Sequence, residues 1–298
     1  WRVADALEET SHGYDGYVFD ENNNKLEFKG YRVDKITDFG LEFFDQYDKE
    51  KPFFLTISHI EPHHQNDRHT YEGPEGSKER FKDYVLPKDL EVLSEVYPQA
   101  DAHEEYPDYL GQIRSIDDNL GRIIDRLKKE DLFDNTVIIF ISDHGSHFKT
   151  RNNDEHLHGA DDYKRTAHAS ASHVPFIIYG PGFKGGKRID DIISTASLPK
   201  TILSIAGYDV GDKMIGEDLT KIIDGSKVSR NNLAFIQISE SRVGRAIRTE
   251  DYLYAVYAPG KDGFEESSSD YYLDDYLYDL KKDPFELNNV VHDEEYSE

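Results

Sequence analysis

Apolar residues at Ile113, Ile116, Leu120, Ile123, Ile124 and Leu127 recur at helical spacing, with Arg, Asp and Lys between them, and predict an amphipathic helix over Tyr109 to Lys129. The turn Asp134-Asn135 leads into Thr136-Val137-Ile138-Ile139-Phe140-Ile141, an unbroken apolar run that reads as a buried strand. Two more runs read the same way: Pro52 to Ser58, and Val174 to Tyr179 before Gly180-Pro181-Gly182. Strand, helix, strand with continuous apolar strands predicts an α/β sheet covered on both faces. Tyr31 to Phe44 fits a helix imperfectly, and Ser197 to Ala206 predicts another. Past a polar junction over Ile215 to Ser229, short strands at Leu233–Ser239, Gly244–Arg248, Tyr252–Tyr257 and Tyr276–Asp279 predict a small antiparallel sheet. Residues 1–30 read as loop with short extended pieces. Glu61 to Asp108, rich in Pro, His and charge, reads as a long loop of the kind that carries function.

Composition narrows the function classes. The 298 residues carry a formal net charge of -25, which repels nucleic-acid phosphates and argues against nucleic-acid binding. An anionic substrate then needs a local exception, either a metal ion or a cluster of cations. No apolar run reaches the roughly 18 residues of a membrane helix, so no membrane span is expected. There is no cysteine, which excludes disulfides and thiolate chemistry within these residues. Trp1 opens the chain without an initiator Met or a signal-like stretch, and is read as a processed or truncated start.

The candidate chemistry begins at Ser142-Asp143-His144-Gly145, directly after a predicted buried strand. Ligands collect beyond the carboxyl ends of strands in open α/β sheets, and an Asp beside a His can hold a divalent cation. On the tetrapeptide alone, an Asp capping a helix beside a surface His is the slightly favoured reading. The region around Lys164 is basic within an acidic chain, with His147, Lys149, Arg151, Arg165 and His168, and suits an anionic substrate. The competing reading is pairing with Asp154, Glu155, Asp161 and Asp162 among the same residues.

In context, the chain resembles the sulfatase family of the alkaline-phosphatase superfamily. The resemblance runs through Tyr109–Gly145, through Val174-Pro175-Phe176-Ile177-Ile178-Tyr179-Gly180-Pro181-Gly182, and through Arg248–Tyr252 and Leu277–Asn289, in order and spacing. It implies an alkaline-phosphatase-like α/β fold, a central mixed sheet flanked by helices with a small C-terminal antiparallel sheet subdomain. Residues 1–228 would be the remainder of the catalytic domain and 229–298 the subdomain. It implies that Asp143 and His144 are metal ligands, with calcium as the ion. His63, in Pro62-His63, would donate a proton to the leaving alcohol or hold a sulfate oxygen, with His59 and His64 as rivals. Lys164 would neutralise charge on the sulfuryl oxygens, and His63 and Lys164 are expected to face one sulfate-sized anion. His147, Lys149, Arg151, Arg165 and His168 are candidate substrate contacts. The stretch Asn153 to Asp162 reads as an insertion.

The family's nucleophile is a formylglycine made from Cys or Ser in a Cys/Ser-x-Pro-x-Arg motif, and no such motif occurs here. The resemblance therefore implies an upstream part of the same enzyme carrying the formylglycine, and a chain that is inactive without it. The implied function is hydrolysis of sulfate esters on a sulfated carbohydrate, in a periplasmic or secreted setting. The alternatives are a phosphatase or phosphodiesterase of the same superfamily and an inactive glycan-binding relative.

Overall fold

The structure is a computed structural model and describes residues 1–4, 6–151, 163–183, 185–209, 211–223 and 232–296. In chain order the elements are α1 (Leu7–Thr10), β1 (Asp15–Phe19), β2 (Lys25–Lys29), α2 (Arg32–Gln46), α3 (Ser77–Phe81), α4 (Lys88–Val96) and α5 (Ala102–Lys129). They continue as β3 (Ile138–Ile141), α6 (Ala169–Ser172), β4 (Phe176–Tyr179), α7 (Leu198–Ile205) and α8 (Leu219–Ile223). Four strands close the series, β5 (Ala234–Ile238), β6 (Gly244–Arg248), β7 (Tyr252–Tyr257) and β8 (Leu273–Asp279). The chain forms two compact units, Trp1–Leu86 with His103–Asn135, and Pro87–Ala102 with Thr136–Glu298.

In the first unit, the residues expected to be loop with short extended pieces include an antiparallel hairpin, β1 on β2, with Tyr17 opposite Glu27. Its turn is held by Asp20, whose carboxylate accepts from the backbone of Asn22 and Asn24. Helix α2 buries Val33, Thr37 and Phe44. Its polar edge is bridged from α5 by Arg122 to Asp38 and Arg126 to Asp45. Segment 53–58 is extended and alternates in burial, with Phe53 against Phe43 and Phe44 while Phe54 is 75% exposed. The strand expected there joins no ladder among the described residues. Its one-sided burial contradicts the reading of a run covered on both faces: the inner side packs on α2 and the outer does not.

The supposed long loop before Tyr109 holds α3 and α4, and α5 starts at Ala102. Pro107 lies inside that helix. Near a helix start a proline forfeits one intrahelical bond without ending the element, so the helix runs through Pro107.

The second unit is organised by two ladders. Strands β3 and β4 pair antiparallel with Ile138 opposite Tyr179. Strands β5 to β8 form an antiparallel meander in sequence order, with an irregularity between Ala255 and Val256. Leu253, Ala255 and Tyr257 of β7 face inward while Tyr252 and Tyr254 face out, the alternation of a sheet buried on one side. The inner face packs Ile238, Ala246, Leu253, Ala255, Tyr276 and Tyr278 around Ala167. This sheet thus shares its core with residues far upstream of it. The expected boundary between residues 228 and 229 falls outside the described residues.

Candidate functional site

Asp143 and His144 follow β3 directly, because the apolar strand ends at Ile141 and the chain turns at Ser142. Ser142 Oγ donates to the His144 carbonyl at 2.9 Å, and the His144 N–H donates to Asp143 Oδ1 at 2.9 Å. The turn is pressed against α6. Gly145 donates to the Ala171 carbonyl at 2.7 Å, and a Cβ at Gly145 would fall 2.2 Å from the Ser170 carbonyl oxygen. Only glycine fits that approach.

His144 Nδ1 donates to the Gly145 carbonyl at 2.8 Å, which leaves Nε2 as the nitrogen able to meet a cation. Nε2 is 3.9 Å from Asp143 Oδ1, and the Asp143 side chain is 88% exposed. Two ligands of one ion at about 2.3–2.6 Å can span that separation. The donors are hard or borderline and fit one edge of a calcium site. A calcium takes roughly six to eight oxygens, and among the described residues no group of three or more His, Asp or Glu gathers to hold an ion.

Tyr163, buried and not singled out by the sequence, links this turn to Lys164. Its ring lies 6.3 Å from the His144 imidazole and 5.4 Å from Lys164 Nζ. Its carbonyl accepts from the His147 N–H at 2.8 Å. Asp143, His144 and Lys164 therefore share one neighbourhood around a tyrosine.

The remaining basic residues are directed elsewhere. Lys149 pairs with Asp101 at 2.6 Å, and Arg165 with Glu240 at 2.5 Å. Arg151 is buried and donates to the carbonyls of Glu286 and Phe285. His147 is fully buried, and its carbonyl accepts from both the N–H and the hydroxyl of Thr150. His168 stacks on Tyr276 at 4.4 Å; Nδ1 meets Thr166 Oγ1 at 2.6 Å and Nε2 meets the Tyr278 hydroxyl at 3.1 Å. Burial, reinforced by nearby Arg151, His147, Arg242 and Arg248, holds its pKa well below the ordinary histidine value. Burial also pushes Tyr276 up to about 12. The carboxylates expected among these cations, Asp154, Glu155, Asp161 and Asp162, and the insertion at 153–162 lie outside the described residues.

The C-terminal signature has a structural use. Glu286, buried, accepts from Arg248 at 2.6 Å and from the Ala169 N–H at 2.8 Å, while its carbonyl takes Arg151. Asp283 accepts from the N–H groups of Leu287 and Asn288, and Asn289 from Leu277. The signature thereby clasps the start of α6 beside the Asp143-His144 turn.

His63 belongs to the first unit. Nδ1 lies 2.6 Å from the His64 carbonyl and 3.9 Å from Glu8 Oε2. Glu61, two residues before it, is buried and ion-paired with Arg32 at 2.8 Å. The rival His59 meets Thr37 Oγ1 at 2.9 Å, and burial lowers its pKa to about 4. The rival His64 is buried against Tyr71 and meets Asn66 Oδ1 at 3.1 Å. His63 thus stands beside a carboxylate at ion-pair distance.

A strand-end Asp-His turn on an α/β scaffold is the arrangement of the alkaline-phosphatase-like hydrolase fold. The sulfatase family model matches residues 6–208, and the chain belongs to that family. A second model, described as N-sulphoglucosamine sulphohydrolase, C-terminal, matches residues 157–298. An arylsulfatase of Clostridium perfringens is 26% identical over 289 residues, covering 87% of this chain and 53% of that protein. An N-acetylglucosamine-6-O-sulfatase of Bacteroides thetaiotaomicron is 24% identical over 378 residues, covering 100% of this chain and 64% of that protein. The crystal structure of a putative sulfatase from Bacteroides fragilis superposes with a TM-score of 0.72 at 24% identity, covering 93% of this chain and 59% of that one. The chain thus spans just over half the length of that arylsulfatase and of that crystal structure. Among the described residues no helix is long and apolar enough to cross a membrane.

Proposed function

We propose that this protein is a sulfuric ester hydrolase acting on a sulfated carbohydrate, in a secreted or periplasmic setting. Its formylglycine nucleophile is supplied from outside these 298 residues, which contain no cysteine. The observation that carries the reading is Tyr163, whose ring neighbours both His144 and Lys164 and so joins a cation-ligand turn to an ammonium group. Membership of the sulfatase family supports the reaction class, and the N-acetylglucosamine-6-O-sulfatase relative supports the substrate class.

Asp143 and His144 would hold a calcium ion, which when bound supplies positive charge against the sulfuryl oxygens. Lys164 adds a fixed ammonium where negative charge grows as the S–O bond breaks. His63 gives a proton to the departing alcohol oxygen. Of the other basic residues, Lys149 and Arg165 keep part of their surface beside carboxylate partners and can re-pair with substrate sulfates. The guanidinium of Arg151 and the ring of His168 are already spent on packing.

The test is the enzyme complete with its nucleophile segment, assayed on an aryl sulfate and on the matching phosphate mono- and diesters. Preferred turnover of the sulfate is expected, and Lys164→Ala is expected to lower kcat/KM by about 10²-fold or more. Near-wild-type turnover of that variant would refute the role of Lys164. Preferred phosphate turnover would favour a phosphatase, and glycan binding without turnover an inactive relative. The 298 residues alone are expected to show no turnover.

A further inference from the structure

We infer that Glu8 is a positioning residue for His63, fixing the imidazole in place for proton delivery; this rests on the reading of His63 as the proton donor. Glu8 lies on α1, a single turn that the sequence gives no reason to notice. Its side chain is tied to the loop that carries the histidine. Oε1 accepts from the Asn66 N–H at 2.7 Å, and the Glu8 carbonyl accepts from Gln65 Nε2 at 3.0 Å. With one oxygen pinned, the other is held 3.9 Å from His63 Nδ1.

The loop is fixed from its other side as well. Arg32, fully buried, donates from Nε to Glu61 Oε1 at 2.8 Å, and from its Nη1 to the carbonyl and hydroxyl of Ser11 and to Gln65 Oε1. Residues 61–66 are therefore anchored at both ends, Glu61 by Arg32 and Asn66 by Glu8, with His63 between the anchors. Its Nδ1 faces the His64 carbonyl at 2.6 Å, an acceptor only, so Nδ1 carries a proton in either charge state. Proton exchange with a substrate then falls to Nε2. The Glu8 carboxylate, 3.9 Å from Nδ1, holds the ring so that Nε2 is presented to the leaving alcohol.

In the step, an alkoxide oxygen of the formylglycine proposed above would bond to sulfur as the ester S–O bond breaks. The bonding pair stays on the alcohol oxygen, which takes the Nε2 proton. His63 is left neutral, with Nδ1–H still donating to the His64 carbonyl opposite the Glu8 carboxylate.

A group that assists only the acid matters in proportion to how badly the leaving group needs a proton. The complete enzyme is compared as wild type, Glu8→Gln, Glu8→Asp and His63→Ala on aryl sulfates spanning a range of phenol pKa and on an alkyl sulfate. Glu8→Gln is expected to lower kcat/KM about 10-fold on the alkyl sulfate and little on the most acidic phenol, steepening the leaving-group dependence in the same sense as His63→Ala. Glu8→Asp is expected to recover part of the loss. A Glu8→Gln loss that is equal across all leaving groups would mean a merely structural role and overturn the inference. So would no loss at all while His63→Ala still steepens the dependence. If His63→Ala itself leaves the dependence unchanged, the reading of His63 fails, and the role of Glu8 falls with it. Should Glu8→Gln fold poorly, Asn66→Pro, which removes the N–H that pins Oε1, is expected to give the same steepening.

Discussion

His59 and His168 are imidazoles held neutral by burial, and both tie the stability of the protein to pH. Burial lowers His59 to about 4 and His168 well below its ordinary value. In the unfolded chain both bind a proton near pH 6.5, so between that pH and their folded values the unfolded state holds more protons. Stability is therefore complete above about pH 6.5 and falls as pH drops toward about 4, at up to about 1.4 kcal/mol per pH unit per group. Urea midpoints measured across that range should show the decline, and His59→Gln should flatten part of it. An unchanged slope in the variant would remove His59 from the account. At this scale the sequence was only partly legible. Asp143 and His144 could be placed at a strand end, because the apolar run stops beside them. Lys149, Arg151, Arg165 and His168 looked alike, as cations in a row. What separates them is their partners, Asp101, Glu286, Glu240 and the tyrosines of β8, brought in from as far as 135 positions away. Tyr163 and Glu8 gave no sign at all, since a tyrosine or a glutamate in a polar stretch carries no pattern.

Among the elements, the turn after β3 is the one whose geometry constrains the chemistry most. A side chain at Gly145 would meet the backbone of Ser170, and backbone cannot rotate aside as a side-chain tip can. Gly145→Ala is expected to cost about 2 kcal/mol or more in a denaturation experiment, by overpacking against α6. The same change should weaken calcium binding to the complete enzyme, because Asp143 and His144 ride on the displaced turn. A variant of unaltered stability would show that α6 is not packed as described. Elements with strong periodicity were readable: α5, β3, β4 and the four-stranded meander all stand where the pattern put them. Segment 53–58 was apolar enough to be read as a buried strand, yet Phe54 points away from α2. A continuous apolar run tells which residues favour burial and not which neighbours are there to bury them. Helices α3 and α4 escaped notice because each spans three turns or fewer, too short for a period to stand out from a charged background.

For the molecule as a whole, a net charge of -25 is a standing internal repulsion. Raising salt from about 10 mM to about 150 mM shortens the screening length from about 30 Å to about 8 Å. The melting temperature should therefore rise over that interval. A fall would mean that ion pairs such as Arg242–Asp275, rather than the overall excess of carboxylates, dominate the response. The Glu286 clasp acts at this scale too. It fastens Arg151, Ala169 and Arg248 to a residue twelve positions from the end of the sequence. Contacts of such wide separation form late, because the chain between them must be ordered before they repay it. On the ribosome the delay is literal. At about 5–20 residues per second, the more than 100 residues between Ala169 and Glu286 take several seconds or more to synthesise. Through that interval the segment bearing Lys164 has neither its clasp nor the sheet it packs on. The region proposed to meet the sulfate thus acquires its shape only once Glu286, more than 100 residues further along the chain, has been made.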